Sequence, residues 1–211
     1  MESKLHADDA LRARILANLS RFERRAHGGA ELVPAAVTLL VAGDEQGEAC
    51  FVITRRARGM RNHAGQWALP GGRLDAGEDA ITAALRETAE ELGLVLANER
   101  VLGLLDDYPT RSGFVITPVV VWAGPEPELT PDPREVAEVY RVPLAVLERP
   151  AVPRLQRIAE SERPVISVPI PMLKTAVHAP TAAILYQLRE VALRGLATRV
   201  DHFEQPVFAW R

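Results

Sequence analysis

Leu11, Ile15, Leu16, Leu19 and Phe22 return every three or four positions among polar residues. That period puts them on one stripe, so an amphipathic helix is expected over residues 8–25, stopped by Gly28-Gly29. The pattern then changes. Residues 35–42 and 49–54 are apolar runs rich in β-branched side chains, joined by Gly43-Asp44-Glu45-Gln46-Gly47, and read as a hairpin. A loop holding Gly59, Gly65, Gly71 and Gly72 leads into a strong helix over residues 79–92. Residues 101–105, 115–122 and 165–170 read as strands, and the proline-rich acidic stretch 125–133 as a loop. Residues 135–140 fit either a strand or a helical turn. Pro180 suits the first position of a last helix, whose stripe of Ile184, Leu185, Leu188 and Val191 runs up to Gly195. Strands interleaved with a few helices, with no repeat or low-complexity linker, predict one α/β domain with a mixed sheet covered by helices.

Composition narrows this picture. At 211 residues, 47% apolar and 25% charged, the chain is long enough for one complete core. Its formal net charge of −3 gives no support to nucleic-acid binding. No apolar run reaches membrane-spanning length, and the N-terminus lacks the apolar core of a signal peptide. A cytoplasmic protein with neither nucleic acid nor membrane as partner is therefore expected. Cys50 is the lone cysteine, which excludes an intrachain disulfide. Within an apolar strand it reads as a buried, inert thiol.

Glu87, Glu90 and Glu91 stand at i, i+3 and i+4, which brings three carboxylates to one helical face. Ile81, Ala84, Leu85, Thr88 and Leu92 fall on a separate face suited to packing on a sheet. Clustered carboxylates repel one another, and a divalent cation, which takes oxygen ligands, offsets that repulsion. Arg86 flanks the cluster and is placed to pair with Glu90 or with Glu78. By itself such spacing more often marks a solvated acidic face.

The longer pattern reverses those odds. From Gly72 there are five residues to Glu78 and seven more to Arg86-Glu87, followed by Thr88, Ala89, Glu90, Glu91, Leu92, Gly93 and Leu94. This resembles the Nudix box, G-x5-E-x7-R-E-U-x-E-E-x-G-U with U apolar, over its full length. Thr88, at an apolar position, is the one departure. The resemblance implies a Nudix-type α/β/α sandwich with a loop–helix–loop motif. The Nudix hydrolase domain would occupy residues 31–195, with 1–30 packing on it as an N-terminal helix and 196–211 as a C-terminal extension. It also implies Mg²⁺ or Mn²⁺ held by Glu87, Glu90 and Glu91, and hydrolysis of a nucleoside diphosphate linked to another group. Glu87, Glu90, Glu91 and Arg86 form the implied catalytic set, with Arg86 and Glu78 as orienting partners. Gly72 is where backbone would come close to the metal. The identity of the general base stays open.

Arg55, Arg56, Arg58 and Arg61 precede the box. A guanidinium fork matches phosphate, although a cluster of this kind is as often solvated surface. The order Val52-Ile53-Thr54-x-Arg56-Ala57-x3-Arg61-x3-Gly65-x3-Leu69-Pro70-Gly71-Gly72 is similar to the signature before the box in coenzyme A diphosphatases, L-L-T-x-R-S-x3-R-x3-G-x3-F-P-G-G. Ala57 replaces the serine and Leu69 the phenylalanine. The resemblance implies cleavage of coenzyme A or acyl-CoA to 4′-phosphopantetheine and adenosine 3′,5′-bisphosphate. Arg56 and Arg61 would sit on substrate phosphates, with Gly71 and Gly72 beside the substrate. Downstream, Thr181-Ala182 matches a W-G-x-T-A-like segment of these enzymes, but the Trp-Gly pair is missing. Two alternatives stand: a Nudix diphosphatase for ADP-ribose, a dinucleotide or a (d)NTP, and a Nudix-fold module that binds a nucleotide without cutting it. The intact glutamate set speaks against the second.

Other residues carry weaker signals. Glu135 is the candidate for one further carboxylate at the metals, with an exposed charge beside a strand as its plain alternative. Asp106-Asp107-Tyr108 reads as a turn, with Tyr108 as a candidate base-stacking platform. His63 reads as exposed and Trp67 as packing. Phe203, Phe208 and Trp210 give the C-terminus an aromatic content suited to docking on the domain or on a second copy, which leaves a homodimer open.

Overall fold

The computed structural model describes residues 4–28, 31–57 and 65–210. Helix α1 (Asp9–Arg21) starts at Asp8, whose side chain accepts from the Leu11 amide at 2.8 Å. It buries Leu11, Ile15 and Leu19, while Leu16 stays 44% exposed. The helix ends at Arg21, well before Gly28, because the next residues serve another purpose. The Arg24 side chain and the Arg25 amide bond Asp107 and Asp106, pulling the chain off the helical path.

The hairpin of β1 (Val33–Gly43) and β2 (Ala49–Arg56) forms as expected, with Val41 opposite Phe51. The two strands then separate. Two short strands, β3 (Trp67–Ala68) and β4 (Gly71–Arg73), occupy the gap, β3 on β2 and β4 on β1. Helix α2 (Ala80–Leu92) follows, capped by the Asp79 side chain and ended by Gly93 at φ 65°. Strands β5 (Val101–Leu104), β6 (Tyr108–Pro109) and β7 (Phe114–Gly124) come next. β7 lies parallel to β1 and β5 antiparallel to β7. The ambiguous stretch resolves as β8 (Val136–Pro143), antiparallel to β2.

The period-two alternation of the central strands divides the core. Ala36, Leu40, Ala42, Val119 and Val121 face α2, burying Ala83, Ala84, Leu85 and Leu92. Leu39, Val41, Phe51, Ile53, Val120 and Trp122 face the other way. That second layer contains α1 and α3 (Thr181–Gln187), which continues as a π-helical turn through Leu193. Helices on both faces of a mixed sheet make the fold the expected α/β/α sandwich. Pro180 takes the cap position one residue before α3 rather than the first helical position.

Sequence patterning missed a second sheet. β9 (Arg154–Ile158), β10 (Ser161–Ile170) and β11 (Thr175–His178) form an antiparallel three-stranded sheet. β9 has almost no buried position, so it carries no apolar alternation to read.

Candidate functional site

The separation of β1 from β2 creates the site. β4 lies in the gap beside β1, with Arg56 at the end of β2, and α2 covers the same end of the sheet. Gly71 has φ 153°, and a Cβ there would meet the Ala36 carbonyl oxygen at 2.2 Å. Only glycine lets β4 lie this close to β1. At Gly72 a Cβ would instead meet Glu87 Oε1 at 2.2 Å, so the carboxylate rests against bare backbone.

Arg86 organises the acidic side chains. Its Nε and Nη2 donate to Glu78 Oε1 and Oε2, both at 3.0 Å. Its Nη1 donates to Glu87 Oε1 at 2.9 Å and Glu90 Oε2 at 3.0 Å. Both pairings expected for Arg86 are thus made at once. Nη2 also reaches the Arg73 carbonyl at 3.1 Å, tying α2 to β4. These charge-assisted bonds hold the Glu78 carboxyl below the usual carboxylate range. Glu87 is pushed upward, chiefly by burial, with Arg86 opposing.

Glu91 differs from its neighbours. It is 3% exposed on the inner side of α2, while the side chain of Glu90 is 54% exposed. Burial pushes its carboxyl up to about 8; the Arg56 guanidinium opposes this, while Glu87 and Glu135 add to it. Arg56 Nη1 stands 3.9 Å from Glu91 Oε1, an ion-pair distance too long for a hydrogen bond. Among the described residues, Glu91 Oε2 and Arg56 Nε are both buried without a hydrogen-bond partner. Buried polar atoms are normally satisfied, so two orphans within one facing pair mark a place built for something further.

Thr88, the departure from the apolar pattern, lies fully buried with its hydroxyl 2.8 Å from that of Thr38 on β1. It also donates to the Ala84 carbonyl at 2.7 Å. A partner hydroxyl across the helix–sheet contact makes threonine tolerable in an apolar layer.

The structure brings Glu78, Arg86, Glu87, Glu90, Glu91, Arg56, Gly71 and Gly72 to one end of the sheet. Glu135 precedes β8, and its carbonyl accepts from the Ala57 amide at 2.8 Å. Among the described residues, no three acidic, histidine or cysteine side chains form a ready metal cage. Arg86 holds Glu87 and Glu90 instead. Arg58, Arg61 and His63 lie outside the described residues. Arg55 pairs with Glu138 at 2.7 Å. Tyr108 is no stacking platform, because it is 2% exposed and its hydroxyl donates to the Phe203 carbonyl. Trp67 packs edge-on against Tyr140 at 5.3 Å. Cys50 is fully buried, and burial pushes its thiol up to about 12, so it is inert.

A cavity of about 560 Å³ opens beside the cluster. Its lining includes Arg56, Gly71, Gly72 and Arg73, and with them Phe114, Ile116, Val177, His178, Ile184 and Phe208. The last six come from separate segments, and no local spacing joins them to Arg56 or Gly72. Their grouping had no sequence signal.

A model of the NUDIX domain matches residues 32–165. The chain belongs to the Nudix family. The uncharacterized Nudix hydrolase NudL of Pectobacterium atrosepticum is 41% identical over 95 residues, 44% of this chain and 50% of that protein. The match therefore spans about half the length of that relative. The human mitochondrial coenzyme A diphosphatase NUDT8 is 37% identical over 148 residues, 68% of this chain and 60% of that protein. A solved MutT protein of Methanosarcina mazei covers 63% of this Nudix chain and 88% of its own at 22% identity, with a TM-score of 0.44. No helix of the described residues is long and apolar enough to cross a membrane.

Proposed function

We propose that this Nudix protein is a metal-dependent diphosphatase that cuts coenzyme A or an acyl-CoA into 4′-phosphopantetheine, or its S-acyl form, and adenosine 3′,5′-bisphosphate. The observation that carries the reading is the facing pair of Glu91 and Arg56, each with a buried, unpartnered polar atom. A buried carboxyl with an unpartnered oxygen is out of place unless a cation joins it, and an unfilled guanidinium edge fits a phosphate oxygen. Glu87, Glu90 and Glu91 would hold Mg²⁺ or Mn²⁺, and Gly72 leaves Glu87 the room to do so. Glu135, which raises the Glu91 carboxyl electrostatically, is the candidate for a further ligand. When bound, the metal supplies charge neutralisation at the diphosphate and lowers the pKa of a water.

The chain's own groups do the positioning. Arg86 orients Glu87 and Glu90 through its two-sided hydrogen bonding, with Glu78 anchoring the guanidinium. Arg56 binds a phosphate oxygen across from Glu91, and Arg61 supplies a second phosphate contact. The reaction consumes one water and breaks one P–O bond of the diphosphate bridge. The bridging oxygen leaves with one phosphate and the water oxygen joins the other. Support for coenzyme A comes from the Arg56-to-Gly72 signature and from the NUDT8 relative.

A substrate panel tests the reading. The protein is incubated with Mg²⁺ or Mn²⁺ and coenzyme A, ADP-ribose, NADH or dNTPs, and products are identified by mass. Cleavage of coenzyme A to the two named products is expected. Turnover of ADP-ribose with coenzyme A left intact sinks the substrate assignment, and binding without turnover of any of them sinks the enzyme.

A further inference from the structure

The cavity beside the carboxylates has an origin that its chemistry makes informative. The Nudix match ends at residue 165, yet much of the cavity wall comes later: Val177, His178, Ile184 and, from the C-terminal segment, Phe208. Phe208 is 67% exposed, a costly position for a large apolar ring, and meets the His178 ring edge-on at 5.6 Å. Its segment is nevertheless firmly held. Glu204 is buried and accepts from Arg111 Nη2 at 2.6 Å and Ser161 Oγ at 2.9 Å. Gln205 Oε1 accepts from the Arg111 amide at 2.6 Å, and Trp210 Nε1 donates to the Gln205 carbonyl at 2.9 Å. Elsewhere in the lining, the Phe114 ring is covered by the Arg73 guanidinium at 5.1 Å.

We propose that this cavity is the base subsite of the enzyme, receiving the purine of the nucleotide half of the substrate, with Phe208 as its stacking platform. Continuity commits the occupant, because Arg56, Gly71 and Gly72 line the same cavity and join it to the diphosphate end. An exposed ring on a fixed segment offers a free π-face at little ordering cost, which is how proteins hold bases. A flexible arm with two amides would gain less from such a wall and would want hydrogen-bond partners along its length. The purine occupies the cavity, so the acyl end of an acyl-CoA points away from it, and chain length has little influence on turnover. The C-terminal segment thereby selects the substrate for chemistry carried by the Nudix core. The inference rests on the proposed function only in placing a nucleotide diphosphate at the glutamates.

Calorimetric binding of three probes to the full chain tests it: AMP, adenosine 3′,5′-bisphosphate and 4′-phosphopantetheine. Phe208→Ala is expected to weaken both adenine nucleotides about tenfold, the loss typical of one stacked ring, and to leave 4′-phosphopantetheine unchanged. Phe208→Trp restores a stacking face and should bind both nucleotides as the parent does. In turnover, Phe208→Ala raises KM with little change in kcat. A loss confined to 4′-phosphopantetheine, equal affinities in parent and Phe208→Ala, or a parent that binds neither nucleotide overturns the proposal. Cleavage of ADP-ribose in place of coenzyme A would sink the substrate assignment alone, because the AMP arm still reads this subsite.

Discussion

The Glu87 carboxylate lies directly against the backbone of Gly72, where a Cβ would meet Oε1 at 2.2 Å. The first glycine of the box and the first glutamate of the cluster thus form one contact between β4 and α2. An alanine here meets only the end of a flexible side chain, which swings aside and leaves the fold intact. Gly72→Ala should therefore lower turnover about 100-fold, the usual cost of misplacing a reacting group by an ångström, with thermal stability nearly unchanged. Gly71→Ala meets the Ala36 backbone and a strained φ, so it should instead lower the melting temperature markedly. Thermal melts and initial rates on both variants check the contrast. Equal behaviour of the two would refute it.

Removing charge from the cluster should cost activity rather than folding. Glu90→Gln or Glu91→Gln is expected to lower turnover by orders of magnitude, and chelation of metal should abolish it reversibly. Rates at saturating substrate, with circular dichroism as the folding control, check this. Near-normal activity in both variants would show that the metal site lies elsewhere.

The paired hydroxyls of Thr38 and Thr88 predict a coupled stability effect. Thr38→Val and Thr88→Val should each cost about 1–2 kcal/mol, because each leaves a polar partner less well satisfied. Together they should cost less than their sum, with a coupling of about 1 kcal/mol in a double-mutant cycle by chemical denaturation. Strict additivity would mean the contact carries no energy.

Glu204 gives the fold an acid-sensitive clasp. The Arg111 side chain, then the Gln205 amide and Ser161, hold its carboxyl below the ordinary glutamate value of 4.5. A folded-state pKa below the unfolded one contributes stability above the unfolded value and loses it as pH falls through the folded one. The melting temperature should thus drop below about pH 4.5, and Glu204→Gln should flatten that part of the profile while costing about 1–3 kcal/mol at neutral pH. An unchanged acid limb in Glu204→Gln would show that other carboxylates set it.

Much of the fold is legible in local pattern, because a helix with one buried face repeats its apolar residues at its own period and a strand buried on both faces reads as a continuous apolar run. This holds for β1, β2, β7 and α2, whose caps Asp79 and Gly93 also stand where the pattern ends. It fails for β9, which is exposed along nearly its whole length, and for the end of α1. There the deciding interactions are Arg24 and Arg25 with Asp107 and Asp106, more than 80 residues away in sequence.

The site divides in the same way. Sequence by itself determined that Arg86, Glu87, Glu90 and Glu91 lie together on α2, because residues three and four apart on one helix are neighbours whatever packs against it. Only the tertiary structure decided that Glu91 turns inward to face Arg56 while Glu90 stays out, since burial depends on what the sheet places beneath the helix. It alone decided that Thr88 finds Thr38, that Tyr108 is core, and that Phe208 stands at a cavity shared with Gly72. Contacts of that kind join distant segments through packing, and no local period records them.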